Sequence, residues 1–338
     1  LSNFNYVKLN SGSGFVDVKI AGCGVIDLLE FYRIFAKMLF RWELFSLESF
    51  SLQRVSEREL GMSKEALGKN IGHLWRENLG QVISYTSKDV ELVKKLIDKL
   101  KMIDIINKLR CLVGCQFSMR MFVMDYLLDI YLLRYAKSKN VILPMRNQEE
   151  IQKYEGAFVM DTTPGIHDNV IDLDIKSLYP SIILSFNLSP EVVLQEKGED
   201  TINVNGLFLD KKRKGLICEM SESLYQKRLS LKKEMNNHKL NSDKWREASY
   251  QSQFTKLLTN SIYGFFGYKK SRLYHKGIAE TVTFVGRDIL NYIRTCLVRD
   301  KVSVIYADTD SCFVESQNNN LDSLISESKE IVNKINLS

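Results

Sequence analysis

The sequence is poor in proline and histidine and has no hydrophobic run long enough to cross a membrane. Its 338 residues include four prolines, all between Pro144 and Pro190, and four histidines scattered along the chain. Scattered histidines argue against a metal site built on imidazole ligands. No stretch approaches the ~20 apolar residues of a membrane span, and residues 1–20 lack a signal-peptide pattern. We therefore expect no membrane partner and a cytoplasmic protein, or a nuclear one in a eukaryote.

Cysteine pairs of the C-x-x-C type are absent as well. Without a secretory context, free buried thiols in a reducing compartment are favoured over disulfides or zinc ligands. The six cysteines are Cys23, Cys111, Cys115, Cys218, Cys296 and Cys312.

The overall composition is that of a globular protein. The chain is 45% hydrophobic and 26% charged, which excludes disordered, collagen-like and disulfide-scaffold classes. Its length suits two or three domains with a buried core. Because it begins with Leu1 and not with methionine, we expect an excerpt of a longer protein.

Positive charge is concentrated in one part of the chain. The whole sequence carries +6, but Asn205–Lys276 holds 16 basic and six acidic residues, so this segment is +10 and the remainder −4. Such a local field suits a polyanionic partner, although a solvated helix face would look the same. The run Lys211–Lys214 is equally consistent with a solvated loop and with contact to a DNA backbone.

Hydrophobic periodicity predicts both helices and strands. Apolar residues at three- and four-residue steps predict helices over Val90–Leu100, Phe122–Lys137, Glu219–Leu240, Asp243–Tyr263 and Ser323–Ile335, with a turn near Asn236–Asp243. The stretch Tyr154–Leu188 favours strands and loops, with a turn into a helix after Asp174. The segments Val302–Tyr306 and Cys312–Glu315 predict a β-hairpin with an acidic tip.

Two acidic motifs lie far apart in the chain. In Asn169–Tyr179 (NVIDLDIKSLY), Asp172 and Asp174 lie on the same side of an extended strand, and Asp308 and Asp310 occur in VIYADTDSCFV. Clustered carboxylates repel one another unless they are protonated or bridged by a cation. Each motif alone is more typical of a capping aspartate. Together with the basic segment between them, they favour one or two Mg²⁺ or Mn²⁺ ions.

Five ordered motifs resemble those of family B DNA polymerases. DIKSLYPSII (Asp174–Ile183), KLLTNSIYG (Lys256–Gly264) and YADTDS (Tyr306–Ser311) resemble motifs A, B and C of that family. YEGAFV (Tyr154–Val159) resembles the Y-x-G-G/A element between exonuclease and polymerase, and YTSKD (Tyr85–Asp89) resembles the third exonuclease motif. Their order and spread identify the chain as a member of the family, of archaeal or viral type.

The resemblance implies a fold and a domain order. It implies a multidomain α+β chain of the α/β class: a right-hand polymerase with an antiparallel palm sheet, helical-hairpin fingers and the C-terminal part of a ribonuclease-H-like exonuclease domain. The expected parts are exonuclease (1–100), helical connector (101–145), first palm segment (146–214), fingers (215–268) and second palm segment (269–338). No K-x-Y element follows motif C, and no further exonuclease carboxylates precede Tyr85, which again suggests an excerpt.

The resemblance also implies roles for individual residues. The catalytic aspartates are Asp174, Asp308 and Asp310, and the ligands of two Mg²⁺ ions are Asp174, the carbonyl of Ile175 and Asp310, with Mn²⁺ as the alternative ion. The residues expected to bind the nucleotide are Ser177, Leu178, Tyr179, Arg228, Lys232, Lys256, Asn260 and Tyr263. Tyr179 resembles the gate that excludes a ribose 2′-hydroxyl. Tyr85 and Asp89 resemble a pair that serves 3′–5′ proofreading.

The function predicted from the sequence is DNA-templated addition of deoxynucleotides to a primer 3′-hydroxyl, with release of pyrophosphate. The expected partners are primer–template DNA, deoxynucleoside triphosphates and a sliding clamp or other replication proteins. One alternative is a polymerase-derived DNA-binding subunit without catalysis, whose carboxylates would be eroded. Another is a nuclease that acts through Tyr85 and Asp89.

Overall fold

The computed structural model describes residues 7–11, 16–20, 24–39, 49–64, 70–118, 121, 123–146 and 154–337. The chain divides into two compact units. One unit comprises Leu1–Arg134 and Lys227–Lys256, and the other comprises Tyr135–Gln226 and Leu257–Ser338.

The first unit is mainly helical. A hairpin of β1 (Val7–Ser11) and β2 (Val16–Ile20) precedes the helices α1 (Leu28–Leu39), α2 (Leu52–Leu60), α3 (Ile71–Glu77), α4 (Leu79–Leu100), α5 (Met102–Val113) and α6 (Met124–Ser138), the last of which continues into the second unit. Helix α2 begins where the Ser51 hydroxyl accepts a hydrogen bond from the Arg54 N–H, and it ends at Gly61, whose φ of +67° favours glycine. The apolar sides of α4 and α5 bury Leu92 and Ile106 completely.

The second unit contains two small antiparallel sheets packed with helices. In chain order its elements are β3 (Val170–Asp174), α7 (Leu178–Ser185), β4 (Val193–Leu194), β5 (Thr201–Val204), β6 (Leu207–Asp210), α8 (Leu216–Asn236), α9 (Asp243–Gly267), α10 (Lys276–Arg299), β7 (Ser303–Asp308), β8 (Ser311–Glu315) and α11 (Leu321–Leu337). The strand orders are β3-β8-β7 and β4-β6-β5. The C-terminal part of α8, from Lys227, and the N-terminal part of α9, up to Lys256, belong to the first unit.

A compact apolar core holds the β3-β8-β7 sheet against α10 and α11. Ile171 of β3 and Val314 of β8 pack with Leu290 and Leu297 of α10 and with Ile331 of α11. The inward residues of β8 alternate with partly exposed ones, as expected for a strand with one covered face. This core fixes the sheet whose end carries the acidic motifs.

The helices and the hairpin predicted by periodicity are confirmed. The predicted helical segments correspond to α4, α6, α8, α9 and α11. They differ at two ends: α8 stops short of Leu240, and Phe122, the first residue predicted for α6, lies outside the described residues. Strands β7 and β8 form the predicted hairpin, and α7 follows the turn after Asp174. The β4-β6-β5 sheet and α10 were not predicted, although Ile278, Val282 and Leu290 of α10 do show helical spacing.

The prediction for the cysteines is confirmed at four positions and wrong at one. Cys115, Cys218, Cys296 and Cys312 are free and buried, whereas Cys111 is free but exposed. Cys111 lies on the side of α5 that the core does not cover, so its thiol contacts solvent. Cys23 lies outside the described residues.

None of the described helices combines the length and the apolarity that crossing a bilayer demands.

The core predicts the cost of truncating α10. Leu290→Ala removes a fully buried side chain and should lower the free energy of unfolding of the unit that contains it by about 3 kcal/mol. Urea denaturation followed by circular dichroism measures this change. The control is Val298→Ala on the same helix, where the side chain is 64% exposed, so little should change. Equal destabilisation by both variants would contradict the assigned core.

Candidate active site

The register of β8 brings the two acidic motifs to one end of the sheet. Ser311 of β8 is the pairing partner of Asp174 on β3 and also of Asp308 on β7. Directly opposed residues in antiparallel strands project to the same face. Asp174 and Asp308 therefore flank Ser311, on strands that are separated by roughly 10 Å across β8.

Asp310 reaches the same place from the turn between β7 and β8. Only Thr309 and Asp310 connect the two strands, and Thr309 has a φ of +50°, an uncommon conformation for a β-branched residue. The Ile175 N–H donates a 2.7 Å hydrogen bond to the Asp310 carbonyl, which ties the end of β3 to this turn. The Thr309 N–H donates to the Phe158 carbonyl at 2.9 Å.

The electrostatics of this cluster are unfavourable for a site left without a cation. Burial and the negative charge of Asp174 raise the pKa of Asp310 above its usual range, with smaller contributions from Asp308 and Asp172. Burial and Asp174 also raise the pKa of Asp172. All neighbouring charges that shift the pKa of Asp310 are negative, so bound cations would stabilise the ionised cluster.

The Asp308 carboxylate differs from the other two because it accepts hydrogen bonds within its own hairpin. The Thr309 hydroxyl donates to it at 2.7 Å and the Tyr306 hydroxyl at 3.3 Å. These bonds fix the orientation of the Asp308 side chain.

The donor set fits a hard divalent cation whose coordination is completed by other oxygens. Asp174 is exposed and Asp310 is partly exposed, and the backbone of Ile175 adjoins both. Within the described ranges, no group of three or more His, Cys, Asp or Glu side chains could hold a metal ion alone. Mg²⁺ is commonly held by one or two carboxylates together with water and substrate phosphates, so this arrangement suits it.

Helix α7 begins directly beside these carboxylates. Ser177 precedes the helix with a φ of +56° and makes no capping hydrogen bond through its side chain. The first N–H groups of a helix have no partner within it, so those of Leu178 and Tyr179 suit an anion. Pro180 lies in the same turn, where its missing N–H costs nothing.

Three tyrosines form a chain of contacts next to the aspartates. The rings of Tyr179 and Tyr263 lie with their centroids 4.6 Å apart, and the hydroxyls of Tyr263 and Tyr154 are 2.9 Å apart. Burial and the negative charge of Asp310 raise the pKa of Tyr179. Burial and the hydrogen bond to Tyr154 raise the pKa of Tyr263. Tyr179 and Tyr263 therefore stay protonated at neutral pH.

Helix α10 holds the segment that carries Tyr154, a role that our sequence analysis missed. The Thr283 hydroxyl donates to the Glu155 carbonyl at 2.9 Å. The Arg287 guanidinium donates to the carbonyls of Glu155 and Gly156 at 3.0 and 2.6 Å and pairs with the Glu155 carboxylate at 3.1 Å. The helical period of α10 is the signal that could have revealed this face, since Thr283 and Arg287 are four residues apart.

The residues expected to bind phosphates occupy α8 and α9. On α9, Lys256, Asn260 and Tyr263 follow one another at helical spacing, with Lys256 partly buried and Asn260 exposed. On α8, Arg228 and Lys232 are one turn apart, and Arg228 Nε is buried without a hydrogen-bond partner in the described structure. The spacing within each helix is as predicted, and the roles of these residues stay predictions.

Comparison with known proteins agrees with the geometry. The family model described as DNA polymerase family B matches residues 125–338. The chain belongs to DNA polymerase family B.

Relatives of this family B chain include archaeal polymerases. DNA polymerase 1 of Pyrococcus abyssi is 30% identical over 280 residues, which cover 79% of this chain and 36% of that protein. The DNA polymerase of Thermococcus gorgonarius is 29% identical over 306 residues, covering 86% and 39%. The solved family B DNA polymerase of Pyrobaculum calidifontis matches with a TM-score of 0.70 and 26% identity, over 93% of this chain and 41% of that one. The chain thus spans about two fifths of the length of these relatives.

The family B chain also presents the pair expected from the third exonuclease motif. Tyr85 and Asp89 lie one turn apart on α4, and Lys64 forms a 2.8 Å ion pair with Asp89 and lies 4.8 Å from the Tyr85 ring centroid. Burial lowers the pKa of Lys64, but hydrogen bonds to Asp89 and Tyr85 outweigh it and raise that pKa overall. Asp89 Oδ1 is buried without a hydrogen-bond partner in the described part of the chain. No sequence pattern indicated a role for Lys64.

The basic run Lys211–Lys214 has partners inside the family B chain. Lys212 forms a 2.5 Å ion pair with Asp200, and Lys214 pairs with Glu222. Arg213 donates to the Glu191 carbonyl at 3.4 Å. These contacts hold the loop after β6, and neither of the two interpretations of the run is excluded by them.

The carboxylate cluster predicts a coupled titration. Of the neighbouring charges, that of Asp174 raises the pKa of Asp310 most. Asp174→Asn removes this charge and should lower the pKa of Asp310, because losing a proton then creates less repulsion. Carboxyl ¹³C NMR titration of the metal-free protein measures this pKa. Asp172→Asn is the graded control and should lower it less, since Asp172 contributes less. An unchanged pKa in Asp174→Asn would show that the two carboxylates are not neighbours.

Proposed function

We propose that this chain is the catalytic core of a DNA-templated DNA polymerase that adds deoxynucleotides to a primer 3′-hydroxyl and releases pyrophosphate. The observation that carries the proposal is the pairing of Asp174 and Asp308 with the same residue of β8, next to Asp310. Membership of DNA polymerase family B supports the reaction class. The net-positive segment 205–276 supports a nucleic-acid substrate.

In this proposal Asp174, Asp310 and the Ile175 carbonyl would hold two Mg²⁺ ions, with Mn²⁺ as a substitute. When bound, the ions would lower the pKa of the primer hydroxyl and neutralise charge on the leaving group. The chain's own part is to place acceptor oxygens at the end of the sheet. Asp308 keeps the turn in position through its two hydrogen bonds.

The remaining residues bind and select the nucleotide. The N–H groups of Ser177 and Leu178 contact the triphosphate at the start of α7, and the Tyr179 ring packs under the sugar, where a 2′-hydroxyl would clash. Asn260 and Tyr263 face the nascent base pair. The cations that neutralise the triphosphate are Arg228, Lys232 and Lys256.

A catalytically silent DNA-binding subunit is the less favoured function. Such a chain would have lost its acidic residues, but Asp174, Asp308 and Asp310 are all present beside an intact motif B. The domain assignment made from the sequence is part of our proposal, with the palm segments around the β3-β8-β7 sheet and the fingers in α8 and α9. Primer–template DNA, deoxynucleoside triphosphates and a sliding clamp are the proposed partners, in the cytoplasm or, in a eukaryote, the nucleus.

We also propose that the natural protein degrades single strands from the 3′ end for proofreading. The supporting observation is that Oδ1 of Asp89 is buried and has no hydrogen-bond partner among the residues that the structure describes, since a buried carboxylate oxygen is costly to leave unpaired. Tyr85 lies one turn away on α4 and would orient water. The ion pair with Lys64 balances the second oxygen of Asp89.

Primer extension tests the polymerase assignment. Asp174→Ala and Asp310→Ala in the natural protein should each reduce extension on the order of 10⁴-fold, because each removes a ligand that acts only in the reaction. Binding of primer–template DNA should stay close to normal. Asp172→Ala is the matched control, two residues from Asp174 on the same strand, and should retain most activity. Extension by Asp174→Ala or Asp310→Ala at the rate of the unchanged protein would overturn the assignment.

Degradation of a 3′-labelled single strand tests the nuclease proposal separately. Asp89→Ala should reduce it roughly 1000-fold while leaving primer extension intact. Asp98→Ala, an exposed aspartate on the same helix, is the control and should have no effect. If Asp89→Ala and the unchanged protein degrade the strand at equal rates, Asp89 has only a structural role in its pair with Lys64.

A further inference from the structure

Gly286 lies directly behind the ring of Tyr179, so any side chain at position 286 would push against this ring. A Cβ built at Gly286 would lie 3.1 Å from Tyr179 Cε1, 3.6 Å from Leu178 Cδ2 and 3.8 Å from Ile182 Cδ1. All three atoms belong to α7. The 3.1 Å distance is shorter than an ordinary van der Waals contact. Helix α10 can therefore approach α7 this closely only because residue 286 has no side chain.

The ring has little room to move sideways. The centroid of the Tyr263 ring lies 4.6 Å from that of the Tyr179 ring, and the hydroxyl of Tyr263 forms a hydrogen bond with that of Tyr154. Tyr154 in turn precedes the segment that Thr283 and Arg287 hold from the same helix as Gly286. Gly286 is buried whereas Tyr179 is partly exposed, so a ligand reaches the ring from the side opposite to α10.

We propose that Gly286 is a specificity-determining residue that sets how deep the Tyr179 ring sits and hence how much room the sugar of the incoming nucleotide has. The inference rests on the proposed polymerase function, in which Tyr179 excludes the 2′-hydroxyl. Gly286 acts through Tyr179 and does not touch the nucleotide. Its missing side chain leaves space for a deoxyribose and too little for a ribose.

Gly286→Ala is the decisive variant. The new methyl group should move the ring by a few tenths of an ångström toward the sugar. KM for deoxynucleotides should then rise about fivefold with kcat changed less, and kcat/KM for ribonucleotides should fall further, so that discrimination against ribonucleotides increases roughly tenfold. Single-nucleotide primer extension by the natural protein, with each nucleotide class in turn, measures both ratios.

A double-mutant cycle shows whether the effect passes through the ring. In a Tyr179→Ala background, Gly286→Ala should leave discrimination unchanged, because there is no ring to displace. Gly80→Ala is the matched control, since a Cβ at this glycine of α4 meets only Asn78 Oδ1, at 3.5 Å. Alanine is a better helix former than glycine, which favours folding of both variants.

A second variant moves the ring in the opposite direction. Ile182→Val removes the methyl group beside the same space, which should let the ring retreat and lower discrimination by a few-fold. Unchanged discrimination in Gly286→Ala, or an equal change in the Tyr179→Ala background, would overturn the inference. Those results would leave primer extension itself intact. Failure of the polymerase proposal would be different, because the unchanged protein would then extend no primer.

Discussion

The pairing register of the central strand β8 is the constraint on which the site depends. Ser311 is matched to Asp174 on one side and to Asp308 on the other, and this match brings together acidic motifs that are remote in the sequence. Side chains alternate along a strand, so a slip of one residue in the pairing would move all side chains of one face of a strand to the opposite face. The apolar core beneath β3 and β8 prevents such a slip, because it would expose Ile171 and Val314.

The neighbouring elements inherit their positions from this sheet. Helix α7 follows β3 directly, which places Tyr179 next to the carboxylates, and α10 leads into β7. The acidic end of the sheet would repel any anionic ligand until cations are present. The phenols and the backbone N–H groups of α7 are uncharged, so they can be packed closely beside this cluster without adding to the repulsion. The acidic end of the sheet thus supplies the charge of the candidate site, and the uncharged phenols and N–H groups supply its shape.

Sequence patterns predicted those features whose cause is local. The helical spacing of α8 and α9 and the apolar strands on either side of Asp308 follow from neighbouring residues, and the structure agrees with them. The β4-β6-β5 sheet was not anticipated because its strands have two to four residues, too few to show a period.

Contacts between remote segments account for the rest. Nothing in the sequence near Lys64 indicates that it pairs with Asp89, because the contact depends on how a loop folds over α4. The same holds for Arg287 and the carbonyls of Glu155 and Gly156, where the acceptors are backbone atoms that every residue carries. Motif resemblance pointed to the residues of the candidate site, but the side chains that support them become visible only in three dimensions.

The glycine in the middle of α10 has a consequence for engineering. A glycine inside a helix forfeits about 1 kcal/mol relative to alanine where an added methyl group meets open space, so a design that considers helix propensity alone would favour replacing Gly286. At this position the added methyl group would press on the Tyr179 ring instead and, on our proposal, would narrow the space for the sugar. Helix propensity and the proposed substrate selection are therefore opposed at this buried position, and a design based on propensity alone would choose the wrong residue there.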